Sequence, residues 1–130
     1  MVMKIYKLEK HGNLFMVRAY VAGPAGNTFS RLLLDTGSAY TILAKEILYS
    51  IGYNLGAAER SQRIITGSGY EMAPVVSVNK FNCLGQNLKH FNILAHTLPA
   101  GVYVDGLLGM DFLSRFNIEM KISSGEIVLR

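Results

Sequence analysis

Apolar residues recur along this chain mostly in short runs bounded by turn residues, which is the pattern of strands. Leu14 to Val21 is rich in apolar and β-branched residues. The turn cluster Gly23-Pro24-Ala25-Gly26-Asn27 follows it, and Thr28 to Leu34 resumes as a strand ending in three leucines. That arrangement predicts a hairpin whose second strand runs into Asp35. Tyr40 to Leu43 is a further short strand. Ala44 to Ile51 predicts a short helix, because Leu43, Ile47, Leu48 and Ile51 fall at helical spacing.

Beyond Gly52 and Gly56 the strand signals return. Arg63 to Thr66 and Tyr70 to Asn79 flank Gly67-Ser68-Gly69, a second hairpin pattern. Phe81 to Leu84 is strand-like, and Leu84-Gly85-Gln86-Asn87 turns into a strand over Leu88 to His96. Pro99 and Gly101 open a loop. Val102 to Leu108 reads as a buried strand ending at Gly109, and Met110 to Phe116 as a short helix. Ile118 to Ile122 and Glu126 to Leu129 pair across Ser123-Ser124-Gly125. The expected class is all-β with one or two short helices, in a closed or rolled sheet. With 130 residues and no linker, repeat or low-complexity tract, residues 1–130 read as a single domain.

Composition narrows the function classes. Half the residues are hydrophobic and 17% are charged, so the chain folds around a core. The formal charge of +4 is scattered, and no Lys/Arg run marks a nucleic-acid surface. A weak preference for acidic partners is compatible with that charge. The single cysteine, Cys83, excludes an intramolecular disulfide and reads as core filler. No apolar run reaches the ~18 residues of a membrane-spanning helix. The first residues, Met1 to Lys7, lack the apolar stretch of a signal peptide. On these grounds the expectation is a soluble, cytoplasmic protein without a membrane or nucleic-acid partner.

One local feature breaks the pattern. In Leu32-Leu33-Leu34-Asp35-Thr36-Gly37-Ser38 an acid directly follows three leucines. A carboxylate there is costly unless it is hydrogen-bonded or paired. Gly37 allows a sharp turn and a close approach. Thr36 and Ser38 put hydroxyl donors on either side. A carboxylate on a tight, donor-rich loop suits general acid/base work on water.

The segment resembles the active-site loop of aspartic peptidases, Asp-Thr/Ser-Gly after an apolar strand. Leu107-Leu108-Gly109 followed by a short helix matches the second half of that family's pattern. The spacing of about 70 residues, with a glycine-centred hairpin between, is similar to the retroviral-type, retropepsin-like branch, including its bacterial and cellular members. The likeness spans roughly Leu14 to Leu129. It implies a single-lobed, retropepsin-like acid protease barrel acting as an aspartic endopeptidase on a peptide or protein substrate. With one motif per chain, it also implies a homodimer that pairs Asp35 with the partner's copy across a two-fold axis. Thr36 would brace the two loops, Ser38 would donate to the outer oxygen of Asp35, and Gly37 would contact substrate. Ile65, Thr66, Gly67, Ser68, Gly69 and Tyr70 match the flap, with Ile65 and Tyr70 as substrate-facing side chains. Viral relatives pair an acid two places after the motif glycine with an Arg after the helix glycine. Here those positions are Ala39 and Met110, so viral-type subsite preferences do not carry over.

Rival chemistries are weaker. Asp105 and Asp111 join Asp35 in no metal-ligand spacing, so no metal or other cofactor is expected, and Asp111 suits a helix cap. Asp105 is an alternative second acid within one chain, but it lacks the hydroxyl neighbour. His11, His90 and His96 are dispersed. Gly67-Ser68-Gly69 lacks the Lys and following helix of a phosphate loop. The alternative class is a non-catalytic dimerisation or peptide-binding module on the same fold.

Overall fold

Alternation along the first long hairpin sets the inside of the molecule. The computed structural model describes residues 3–98 and 103–130. Strands β1 (Lys4–Lys7) and β2 (Glu9–His11) precede β3 (Leu14–Gly23) and β4 (Gly26–Leu34). Val17, Ala19 and Val21 point inward from β3 while Arg18 lies exposed between them. The register sets Val17 opposite the buried Leu32 and Ala19 opposite the buried Ser30. The turn is narrower than the sequence cluster. Gly23 already pairs with Gly26 and Ala22 with Asn27, which leaves Pro24-Ala25 as a two-residue loop.

After β5 (Ile42–Leu43) comes helix α1 (Lys45–Ser50), whose Leu48 is fully buried. The hairpin β6 (Ser61–Thr66) and β7 (Gly69–Cys83) follows, then β8 (Gln86–Ala95), β9 (Gly106–Leu108) and α2 (Met110–Leu113). The last pair is β10 (Ile118–Lys121) and β11 (Glu126–Leu129). Strand β8 starts earlier than the sequence suggests. Leu84 (φ 50°) and Gly85 (φ 72°) make a left-handed two-residue turn, so Gln86 already pairs with Cys83. Strand β9 starts later. Asp105 is engaged with Arg31 instead, through its N–H (2.7 Å to the carbonyl) and its carboxylate (2.8 Å from the N–H). The loop expected at Pro99 and Gly101, and the strand start at Val102, lie outside the described residues. Helix α2 ends at Leu113, short of Phe116, although turn-type bonds continue to Phe116. Strands β1 and β2 were not expected.

The larger sheet runs β2-β3-β4-β9-β5-β8-β7-β6, and an added β3–β7 pairing closes six of these strands into a ring. Such closure removes free edges. Two of the ring's pairings are parallel, β4 with β9 and β5 with β8. The smaller sheet is β1-β11-β10. Phe81, Phe91 and Phe112 meet in the core at centroid distances of 4.9–6.2 Å. Phe112 thereby ties α2 to the barrel wall. Cys83 is buried core filler, as its neighbours suggested. The fold is all-β, with two short helices. No helix among the described residues is long and apolar enough to cross a membrane.

Candidate active site

Strand β4 delivers Asp35 to the end of its parallel pairing with β9. Leu34 lies opposite Leu108, and the Asp35 N–H continues the ladder by donating to the Leu108 carbonyl at 3.0 Å. The chain then turns sharply. The Gly37 N–H donates to Asp35 Oδ1 at 2.9 Å, and the Ser38 N–H donates to the Asp35 carbonyl at 3.2 Å. The carboxylate is half-buried and already holds one backbone donor. The Ser38 hydroxyl does not reach it. It donates to the Tyr40 carbonyl at 2.7 Å, which corrects the expected contact. The loop folds back on itself and brings that carbonyl to the Ser38 hydroxyl. Thr36 is exposed, beside a hollow of about 440 Å³ lined by Met110, Leu113, Phe116, Ile118 and Met120.

A second layer fixes the loop from behind. Thr41 is 1% exposed, and its hydroxyl donates to Asp111 Oδ1 at 2.7 Å. Its N–H donates to Asp111 Oδ2 at 2.9 Å, and its hydroxyl oxygen accepts the Gly109 N–H at 3.1 Å. The Met110 and Asp111 N–H groups donate to the carbonyls of Ser38 (2.8 Å) and Ala39 (3.1 Å). Glycine at 109 is required by space: a Cβ there would lie 2.4 Å from the Tyr40 carbonyl oxygen. Asp111 is therefore not the helix cap. Gly109 occupies the cap position, and the Asp111 carboxylate is spent on Thr41 and on the Phe112 N–H at 2.8 Å. Asp105 meets Arg31, four residues back along β4, which at about 3.3 Å per residue is roughly 13 Å from Asp35. It is no partner acid within the chain. Among the described residues no three His, Cys, Asp or Glu side chains are grouped closely enough to hold a metal ion.

A cavity of about 440 Å³ opens over the loop. Asp35, Gly37, Ser38, Ala39 and Tyr40 form one wall, Ile42 and Leu107 the base, and Arg63, Ile64 and Ile65 of β6 the facing side. The structure thus brings the Asp35 loop and Ile65 together. Thr66, Gly67, Ser68 and Gly69 form the hairpin tip outside that lining, and Thr66 Oγ1 lies 3.3 Å from Ser68 Oγ. Tyr70 also stays out of the cavity, where the Arg63 guanidinium stacks over its ring at 4.8 Å. Ile65 is 89% exposed and Tyr70 68% exposed, an apolar hairpin surface without an intramolecular cover. Sequence reading missed Tyr40, Arg63 and Ile64. Arg63 was within reach, because a period of two puts it on the same strand face as Ile65.

This barrel, with its acid-bearing loop and overhanging hairpin, defines the class. A family model described as aspartyl protease matches residues 17–112, from β3 through the Asp35 loop and hairpin to Phe112 in α2. The chain belongs to the aspartyl protease family, and its fold is retropepsin-like. Among solved structures it is similar to a retropepsin-like aspartic protease from Rickettsia conorii, with a TM-score of 0.72 and 20% identity over 98% of this chain and 92% of that chain. No match is found among curated proteins.

Proposed function

We propose that the chain is an aspartic endopeptidase that acts as a homodimer, with Asp35 from each copy forming the catalytic pair. The observation that carries this reading is the placement of a half-buried Asp35 carboxylate, steadied by one backbone N–H, on the wall of a cavity faced by a glycine-tipped hairpin. Two carboxylates held close share one proton. The ionised one takes a proton from water while the protonated one donates to the scissile carbonyl oxygen. Water adds to the carbonyl carbon, and collapse of that intermediate sends a proton to the leaving amine. Thr36, exposed beside the Met110–Ile118 hollow, supports an isologous contact around the two-fold axis. An extended substrate would lie between the loops and the flap hairpins, pairing through its backbone. Gly37 would lie along it, Ile65 would face it, and Thr66 to Tyr70 would close over it. Residues 1–130 then form one protease domain that needs no cofactor. Apolar residues around the scissile bond and mildly acidic pH are the expected preferences.

The test is digestion of a peptide library with and without a general aspartic-protease inhibitor. Wild-type protein should cleave, and the inhibitor should stop it. Asp35→Asn should abolish cleavage while leaving sedimentation and melting unchanged. Full activity in that variant overturns the mechanism. Peptide binding without any cleavage supports the alternative, a non-catalytic binding module.

A further inference from the structure

A second cavity, of about 260 Å³, lies beside the first. Tyr40 lines both, so the two cavities adjoin at that side chain. Arg60 enters it from the residue before β6, and Arg115 from the turn after α2. Gln62 and Asn92 add neutral amides. The volume falls below the about 300–1,000 Å³ of a drug-sized site, so it fits one side chain rather than a folded partner.

The charges in this cavity are unbalanced. Among the described residues neither Arg60 nor Arg115 lies within 4.0 Å of a carboxylate oxygen. Among the described residues Asp111 is the only acid in the lining, and its two oxygens already accept from Thr41 and Phe112. Two arginines therefore line the space together with a single, already engaged carboxylate. Arg115 is also held in place. Its guanidinium lies 5.0 Å from the Phe91 ring centroid, and its Nε donates to the Asp111 carbonyl at 3.1 Å. That leaves its terminal nitrogens as a fork of donors of fixed direction, the arrangement that recognises a carboxylate.

We propose that Arg60 and Arg115 form a subsite for an acidic side chain of the substrate, outside the central cavity on the side of Tyr40. This subsite takes the Asp35 cavity as the peptide cleft and so rests on the proposed function. It lies wholly within one chain, so it does not require the dimer contact.

The test reads binding, so that it stands apart from catalysis. Fluorescent octapeptides with a Leu-Phe central pair carry Glu or Gln at each other position in turn. Their affinity is measured by anisotropy on Asp35→Asn protein. The two-fold axis repeats the subsite, so at one outer position on each side of the central pair Glu should bind about tenfold tighter than Gln, the scale of a charge-assisted pair. In Arg60→Gln/Arg115→Gln protein that ratio should fall to about one, while the Gln peptides keep their affinity. Arg115→Lys, which retains charge and loses the fork, should fall between. Equal binding of Glu and Gln peptides by the Asp35→Asn protein, or a ratio that survives the double substitution, overturns the subsite. Failure of wild-type protein to cleave any of these peptides counts against the peptidase reading alone.

Discussion

Thr41 and Asp111 meet twice. The Thr41 hydroxyl and N–H each donate to a different oxygen of one carboxylate, at 2.7 and 2.9 Å. The same hydroxyl accepts from Gly109, so one small side chain links the Asp35 loop to the first turn of α2. Thr41→Val keeps the shape and removes the hydroxyl. Asp111 Oδ1 is left with the Phe112 N–H alone, and the buried Gly109 N–H loses its partner. The expected cost is about 1–3 kcal/mol in urea unfolding, with a drop in peptide cleavage, and Thr41→Ser should restore most of both. A Val variant as stable as wild type would remove this link from the account.

Gly109 is tested by a single added methyl. In Gly109→Ala the Cβ would lie 2.4 Å from the Tyr40 oxygen and 3.0 Å from the Ser38 oxygen. Both atoms are backbone and both belong to the Asp35 loop, so relief means moving that loop. Destabilisation of about 1–3 kcal/mol is expected. Cleavage should fall further than stability alone accounts for, because the displaced segment carries the acid. Cleavage at the wild-type rate would show that the loop tolerates the shift.

The proposed two-fold contact is tested at Met110, which is 39% exposed beside Thr36. Met110→Glu places a carboxylate in the first turn of α2, where the helix tolerates it. The isolated chain should fold. Two copies facing each other would bring like charges together across an apolar surface. Sedimentation velocity should show monomers, and cleavage should fall at least about tenfold with the loss of the partner acid. An active dimer with this substitution would place the contact elsewhere.

Much of this site was legible in the sequence, and the reason is local. Asp35, Gly37 and Gly109 stand at places where backbone crowding or a sharp turn restricts the residue type, and such positions leave a mark in a single sequence. The Gly67-Ser68-Gly69 hairpin is legible for the same reason. The Thr41–Asp111 link was not, because its members are 70 residues apart and each is an ordinary residue in its own neighbourhood. The direction of the Ser38 hydroxyl depends on where the loop returns the Tyr40 carbonyl, which no local pattern encodes. Strands β1 and β2 escaped because they are three or four residues long. Strand β1 also draws its order from β11, at the other end of the chain: Ile5 pairs with Val128.

Cys83 gives a prediction from burial. Removal from water pushes its thiol up to about 12, from 9.0 for a free side chain. The thiolate is the reactive form, so iodoacetamide at mildly alkaline pH should leave the folded protein unmodified and label it in denaturant. The unfolded thiol ionises first as pH rises. Its share of the folding free energy is therefore complete below 9.0 and is lost on approach to about 12. Rapid labelling of the native protein would contradict the burial.

The parallel pairing of β4 with β9 has a consequence in time. The acid is specified early in the chain, but the strand that supports it and the glycine that admits its loop come some seventy residues later. During synthesis the Asp35 segment leaves the ribosome long before Leu108 and Gly109 exist to receive it. Closing so long a loop is slow, and nothing local substitutes for it. A nascent chain therefore carries no organised acid until most of the barrel has been made. The order of synthesis itself delays any cutting activity until a folded molecule is there to direct it.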